Sequence, residues 1–243
     1  MNHIRSIVIC TAIGTLAGFA QGDLAGIVGN DSLRYYAEDG MTSTSLEQAA
    51  YAVIDIRLDF SAPNTHGQDD SETLLNMIRN FNISVEGFDL FNQSDLAGPG
   101  GSWDPTRSED VTGVAYSGID SFVTIGGGVG ADAPSNDTSL GGAAWGTTSG
   151  PDIFNGNVRW ANYNPAQVRV DDRLQVWIGR FAITGEEARN GGSFTVEGRS
   201  GYRYEGEPGN YFEDFSGSFS FIPAPGGLPL IALAGSLMRR RRS

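Results

Sequence analysis

An all-β fold, an antiparallel β-sandwich with jelly-roll-like topology, is predicted by three features of the chain. Apolar residues alternate with polar ones in most stretches long enough to show a period, the pattern of half-buried strands. Turn formers separate those stretches, with 34 glycines and 10 prolines among 243 residues. Only one segment carries helical spacing. A continuous barrel and an immunoglobulin-like strand order are the neighbouring architectures that share these signals.

The first strand of the series is Val53 to Phe60. Ile54, Ile56, Leu58 and Phe60 face one way, and Val53, Asp55, Arg57 and Asp59 the other. The second face is expected to be wet, with Asp55 and Asp59 flanking Arg57 as a charge ladder. Ser71 then offers an N-cap, Glu72 an early acid, and Leu74, Leu75, Met77 and Ile78 an i, i+3, i+4 apolar spacing. This predicts one or two turns of helix ending near Arg79. Ile83 to Leu90 alternates loosely, and Asp120 to Ile125 is a short β-rich run that stops at Gly126-Gly127-Gly128.

The Asn- and Gly-rich stretch from Gly126 to Asn164 has little periodicity and is expected to be a long loop holding one short strand near Val158 to Trp160. Val168 and Val170 lead into an Asp171-Asp172 turn, and Leu174 to Ile183 is the strongest strand signal of the chain. Its parity changes at Gly179, where Leu174, Val176 and Ile178 give way to Phe181 and Ile183, which predicts a β-bulge there. Phe194 to Val196 and Phe215 to Phe221 complete the set, with Phe215, Gly217, Phe219 and Phe221 on one face.

The two ends of the chain read as addresses. Met1 to Arg5 is basic, Ile7 to Ala17 is apolar, and Gly18 to Gly22 supplies small residues, so residues 1–22 are expected to be a signal peptide cut after Ala20 or Gly22. Cys10, the single cysteine, would leave with it. Residues 222–243 have three parts: Ile222, Pro223, Ala224, Pro225 and Gly226, then an apolar run to Met238, then Arg239, Arg240, Arg241 and Arg242. Four arginines after an apolar run resist translocation. The run is roughly 20 to 25 Å long as a helix, against ~30 Å of hydrocarbon, which suits a transient hold better than a lasting anchor.

That order of Pro motif, apolar segment and Arg stop resembles the PEP-CTERM sorting signal, in a Pro-Ala-Pro-Gly version similar to that of planctomycete-type secreted proteins. The usual Pro-Glu-Pro of the family reads Pro223-Ala224-Pro225 here. The resemblance implies export by way of signal peptidase, processing by an exosortase-like enzyme, transient membrane anchoring by the C-terminal segment, and delivery to the cell envelope or extracellular matrix.

Composition limits what the exported part, residues 23–221, can do. It holds all 29 carboxylates and 11 arginines, a formal balance of −18, and the chain has no lysine. A nucleic-acid partner is excluded on this ground, since such binding depends on neutralising phosphates with cations. Without cysteine, the segment has neither a disulfide nor a Cys-ligated metal.

His66 is its one histidine, in a loop-like string, and no Gly-x-Ser-x-Gly elbow accompanies it. Gly126-Gly127-Gly128-Val129-Gly130 follows a strand but opens no helix, so it is not a dinucleotide loop. No catalytic or cofactor-binding residue is assigned.

Two groups remain as candidates. Asp69, Asp70, Glu72, Asp132 and Asp137 offer oxygen ligands of the kind Ca²⁺ takes. Trp103, Trp145, Trp160 and Tyr163 lie in loop-like regions, where flat rings could stack on sugars. The expected function is therefore a structural or adhesive envelope protein, not an enzyme. A carbohydrate-binding module, Ca²⁺-assisted and directed at an envelope or matrix polysaccharide, is the alternative, and a glycoside hydrolase the third reading.

Overall fold

The computed structural model describes residues 24–29, 32–63, 65–85, 87–92, 103, 116–126, 138–141, 153–154, 158–162 and 168–222. The signal segment 1–22, the sorting tail from Pro223 onward and the Gly127-Gly128 stretch lie outside these residues. Among the described residues no helix is long and apolar enough to cross a membrane.

Two antiparallel sheets make up the fold. The first contains β1 (Gly26–Val28), β2 (Arg34–Tyr36), β3 (Tyr51–Asp59), β5 (Phe122–Val123) and β9 (Gln175–Thr184), with β1 and β2 on β3, β3 on β9, and β9 on β5. The second contains β4 (Thr73–Val85), β6 (Thr138–Gly141), β7 (Val158–Asn162), β8 (Val168–Arg169), β10 (Ser193–Tyr204) and β11 (Tyr211–Ser220) in the order β11-β10-β4-β7-β6, with β8 also on β4. Thus β3 and β9 pair in one sheet while their successors β4 and β10 pair in the other.

The inner faces share one apolar core, which makes the arrangement sandwich-like. Ile54, Ile56, Leu58 and Phe60 with Val176, Ile178, Phe181 and Ile183 come from the first sheet; Leu75, Ile78, Phe81, Ile83, Phe194, Val196, Phe215 and Phe219 come from the second. Ring contacts tie the layers: Phe81 to Phe181 at 6.4 Å, Phe181 to Phe194 at 5.5 Å, Phe60 to Tyr202 at 5.1 Å. Each such side chain contributes about 1.5–3 kcal/mol on burial. Gly217 sets how closely the layers approach, because a Cβ there would stand 2.4 Å from the Ile27 side chain on β1.

Several expectations are met by this architecture. β7 covers the short strand read near Trp160, the two-residue β5 lies within the Asp120 to Ile125 run, and Phe215, Phe219 and Phe221 are all buried. The bulge expected at Gly179 is present: Ile56 pairs with Gly179 and Arg57 with Trp177, so Ile178 is the extra residue. Turn chemistry holds too, since Asp171 Oδ1 accepts from the backbone N–H of Arg173 and Gln175, both at 2.9 Å.

Two expectations are corrected. The helix read from Ser71 to Arg79 is instead a 3-10 turn, Asp70–Glu72, capped by Asp69, followed by the 13-residue strand β4. Register shifts against β10 explain the misreading. They fall near Asn76 and near Asn80, which has φ 51°, so Leu75, Ile78 and Phe81 become buried at a spacing of three. Bulges in a strand thereby imitate helical periodicity.

The second correction concerns the face of β3 that carries Val53 and Asp55, which is covered. Ile119 of helix α1 (Tyr116–Ile119) and the Phe91 ring pack over Val53, Ala182 and Tyr51. Phe91 N–H donates to Ala182 O at 2.7 Å, and Ala182 N–H to Ser121 Oγ at 2.9 Å. Asp55 is only 4 % exposed, and its partners are Arg180, at 2.7 Å, and Arg34, not Arg57.

Candidate functional site

The residues read as binding groups from sequence are distributed differently in space. Trp103 and Trp160, expected to be available for stacking on sugars, are each 1 % exposed. Trp160 meets Phe81 edge-on at 4.7 Å and donates Nε1–H to Thr124 O at 2.8 Å, while Trp103 meets Phe154 at 4.8 Å. Both are core residues, because alternation in β7 turns Trp160 inward and Arg159 outward. Trp145 and Tyr163 lie outside the described residues.

Among the acids, Asp69 accepts from Ser71 N–H at 2.9 Å and Ser71 Oγ–H at 2.7 Å. These two bonds hold its carboxyl below the usual carboxylate value of 3.8. Asp39 is lowered in the same way by Thr42, whose Oγ1–H and N–H both donate to it, and by Met41 N–H. Asp70 and Glu72 share the 3-10 turn with Ser71, and Asp132 and Asp137 lie outside the described residues. Among the described residues no group of three or more His, Cys, Asp or Glu gathers as a metal site. His66 is exposed and packs on the Tyr211 ring at 4.2 Å.

The outer face of the second sheet carries the most distinctive surface chemistry. Register places Arg159 of β7 opposite Arg79 of β4, Arg79 opposite Arg199 of β10, and Arg199 opposite Asp214 of β11. Three of the 11 arginines of the acidic segment thus stand side by side across adjacent strands. Like charges directly opposite one another oppose sheet formation.

The row has little internal compensation. Arg79 lies over the Phe212 ring, its Cζ 4.2 Å from the centroid. Arg199 Nε is 3.6 Å from Asp214 Oδ1, beyond hydrogen-bond reach. The Nε atoms of Arg79 and Arg199 are buried with no hydrogen-bond partner among the described residues. Arg159 is exposed, its stem lying across Gly141 of β6, where a Cβ would stand 3.0 Å from Nε.

Clefts flank the row on this face. One of about 520 Å³ is lined by Met77, Arg79, Leu140, Arg159, Trp160 and Ala161. A second of about 350 Å³ adjoins Arg199 and Asp214, with Asn80, Glu197 and Ser216. Beyond it the sheet presents Ser84, Thr195 and Ser218 in one register row. The face therefore grades from hydroxyls, through a cationic row, to Phe212 and Met77.

Sequence reading missed this row. Each arginine sits beside a buried residue, in Ile78-Arg79, Val158-Arg159 and Arg199-Ser200, so an outward position follows for each alone. Nothing local links positions 40 or 80 residues apart; strand register does. The chain matches no family model, no curated protein and no solved structure.

Proposed function

We propose that the chain is an exported envelope or extracellular-matrix protein, structural or adhesive and without catalysis, delivered and processed through its C-terminal sorting signal. The observation that carries this reading is where the folded core stops. β11 stays in register with β10 to Ser220, paired with Ser193. Phe221 is fully buried, its N–H donating to Gly192 O at 3.0 Å and its carbonyl accepting from Tyr35 Oη–H at 2.8 Å. Ile222 is 38 % exposed, and the Pro223-Ala224-Pro225 motif begins at the next residue. Removal of the tail at that motif leaves every described strand intact, which supports a processing address placed just beyond a finished domain.

Asp55, Asp39 and Asp69 fit a non-catalytic role, because each serves an ion pair or a turn. The test is the intact mass of the native protein, together with fractionation of the full chain and a variant lacking Pro223 to Ser243. The expected result is a native C-terminus shortened near Pro223 to Pro225, with the truncated variant lost to the medium. An intact tail after export, or equal envelope attachment by the truncated variant, rejects the proposal.

The second reading, a carbohydrate-binding surface module, draws its support from the outer face of the second sheet and not from Trp103 and Trp160, which are buried.

A further inference from the structure

We propose that the Arg159-Arg79-Arg199 row is a binding site for the oxyanion groups of an acidic glycan, carboxylate or sulfate borne on a sugar. This deepens the carbohydrate-binding reading and is independent of how the chain is exported. Three guanidiniums placed on neighbouring strands repel one another, and among the described residues the groups set against that repulsion are the Phe212 ring beneath Arg79 and Asp214 beside Arg199. An external anion removes the conflict. The Nε–H groups of Arg79 and Arg199 are buried with no hydrogen-bond partner among the described residues, and planar guanidiniums present further donors matched to carboxylate or sulfate oxygens.

The dimensions select the ligand class. Three strands ~4.8 Å apart give a row about 10 Å wide, room for one or two oxyanions. Carboxylates dominate the rest of the surface, with a formal charge of −18 on residues 23–221, so a dense polyanion such as DNA, with one charge per ~1.7 Å, is repelled beyond the row. Sparser charge on a hydroxyl-rich chain suits the surroundings: Ser84, Thr195, Ser216, Ser218 and Glu197 on one side offer hydrogen bonds to hydroxyls. Asp214 loosely holds Arg199 at 3.6 Å and is the group the ligand displaces.

Calorimetric titration of the full chain tests this with five probes: an oligogalacturonate, a sulfated oligosaccharide, a neutral cello-oligosaccharide of equal length, sodium sulfate, and duplex DNA. The expected result is salt-sensitive binding of at least one acidic oligosaccharide, tighter than sodium sulfate, with no binding of the neutral oligosaccharide or DNA. Arg159→Gln and Arg199→Gln each weaken it tenfold or more, while Arg189→Gln, in the connection between β9 and β10, leaves it unchanged. Thermal unfolding of each variant separates lost binding from lost fold; the exposed Arg159 is the position least able to affect folding. No binding of either acidic oligosaccharide, equal binding of the neutral one or of DNA, sulfate binding as tight as the oligomers, or full binding in Arg159→Gln overturns the proposal.

Discussion

At the scale of single residues, Asp55 shows how far a charge pattern on paper can differ from its place in the fold. Its side chain is 5 % exposed and lies between Arg34, 42 % exposed, and Arg180, 12 % exposed. Arg180 also faces the rings of Trp177 at 5.3 Å and Phe122 at 5.5 Å. Removing the carboxylate strands a buried guanidinium, so Asp55→Asn is expected to destabilise the fold by about 3–5 kcal/mol. Asp59→Asn, four positions along on the same strand, touches a cap on Ser61 N–H and is expected to stay within about 0.5 kcal/mol. Urea unfolding of both variants checks the contrast. Asp69 gives a pH-dependent counterpart. Its folded carboxyl titrates below the unfolded value of 3.8, so its stabilising bonds are complete above that pH and are lost as pH falls through the lower folded value. Asn caps a turn as well as Asp does. Asp69→Asn is therefore expected to keep the neutral-pH urea midpoint while flattening its decline in acid.

Whole elements follow from sequence where local chemistry dominates and fail where partners decide. Helix α2 (Gly185–Arg189) is begun by a capping box: Glu187 N–H donates to Thr184 Oγ1 at 3.3 Å, and Thr184 N–H donates to Glu187 Oε2 at 2.9 Å. The string Thr184-Gly185-Glu186-Glu187 carries that signature directly after the strongest strand signal of the chain. Thr184→Ala is expected to cost about 1 kcal/mol in urea unfolding. Strand β4 is the opposite case. Its apolar spacing fits a helix turn locally, and only pairing with β10 on one side and β7 on the other selects the strand. Strand β9 stands between these, since its parity break at Gly179 was visible in sequence, but the residue inserted, Ile178, is identified only by pairing with β3.

Across the whole molecule, charge and core act at different ranges. The chain carries a formal −13. Self-repulsion on this scale is screened by salt over ~10 Å at 0.1 M. Raising NaCl from about 10 mM to 0.1 M, where the Debye length falls from ~30 to ~10 Å, is expected to raise the urea midpoint. The core should not respond in the same way. Trp160→Ala, which removes the ring packed on Phe81 and leaves Thr124 O without its donor, is expected to cost about 3–5 kcal/mol at either salt concentration. The sequence alone determined the all-β class, the acidic lysine-free surface and most strand positions, because alternation and composition are properties of neighbouring residues. The tertiary structure alone decided that Thr73–Val85 is a strand, that Asp55, Trp103 and Trp160 are buried, and that Arg159, Arg79 and Arg199 form one row. The reason is physical: a side chain's face depends on its own strand, whereas its neighbours depend on the register between strands far apart in the chain.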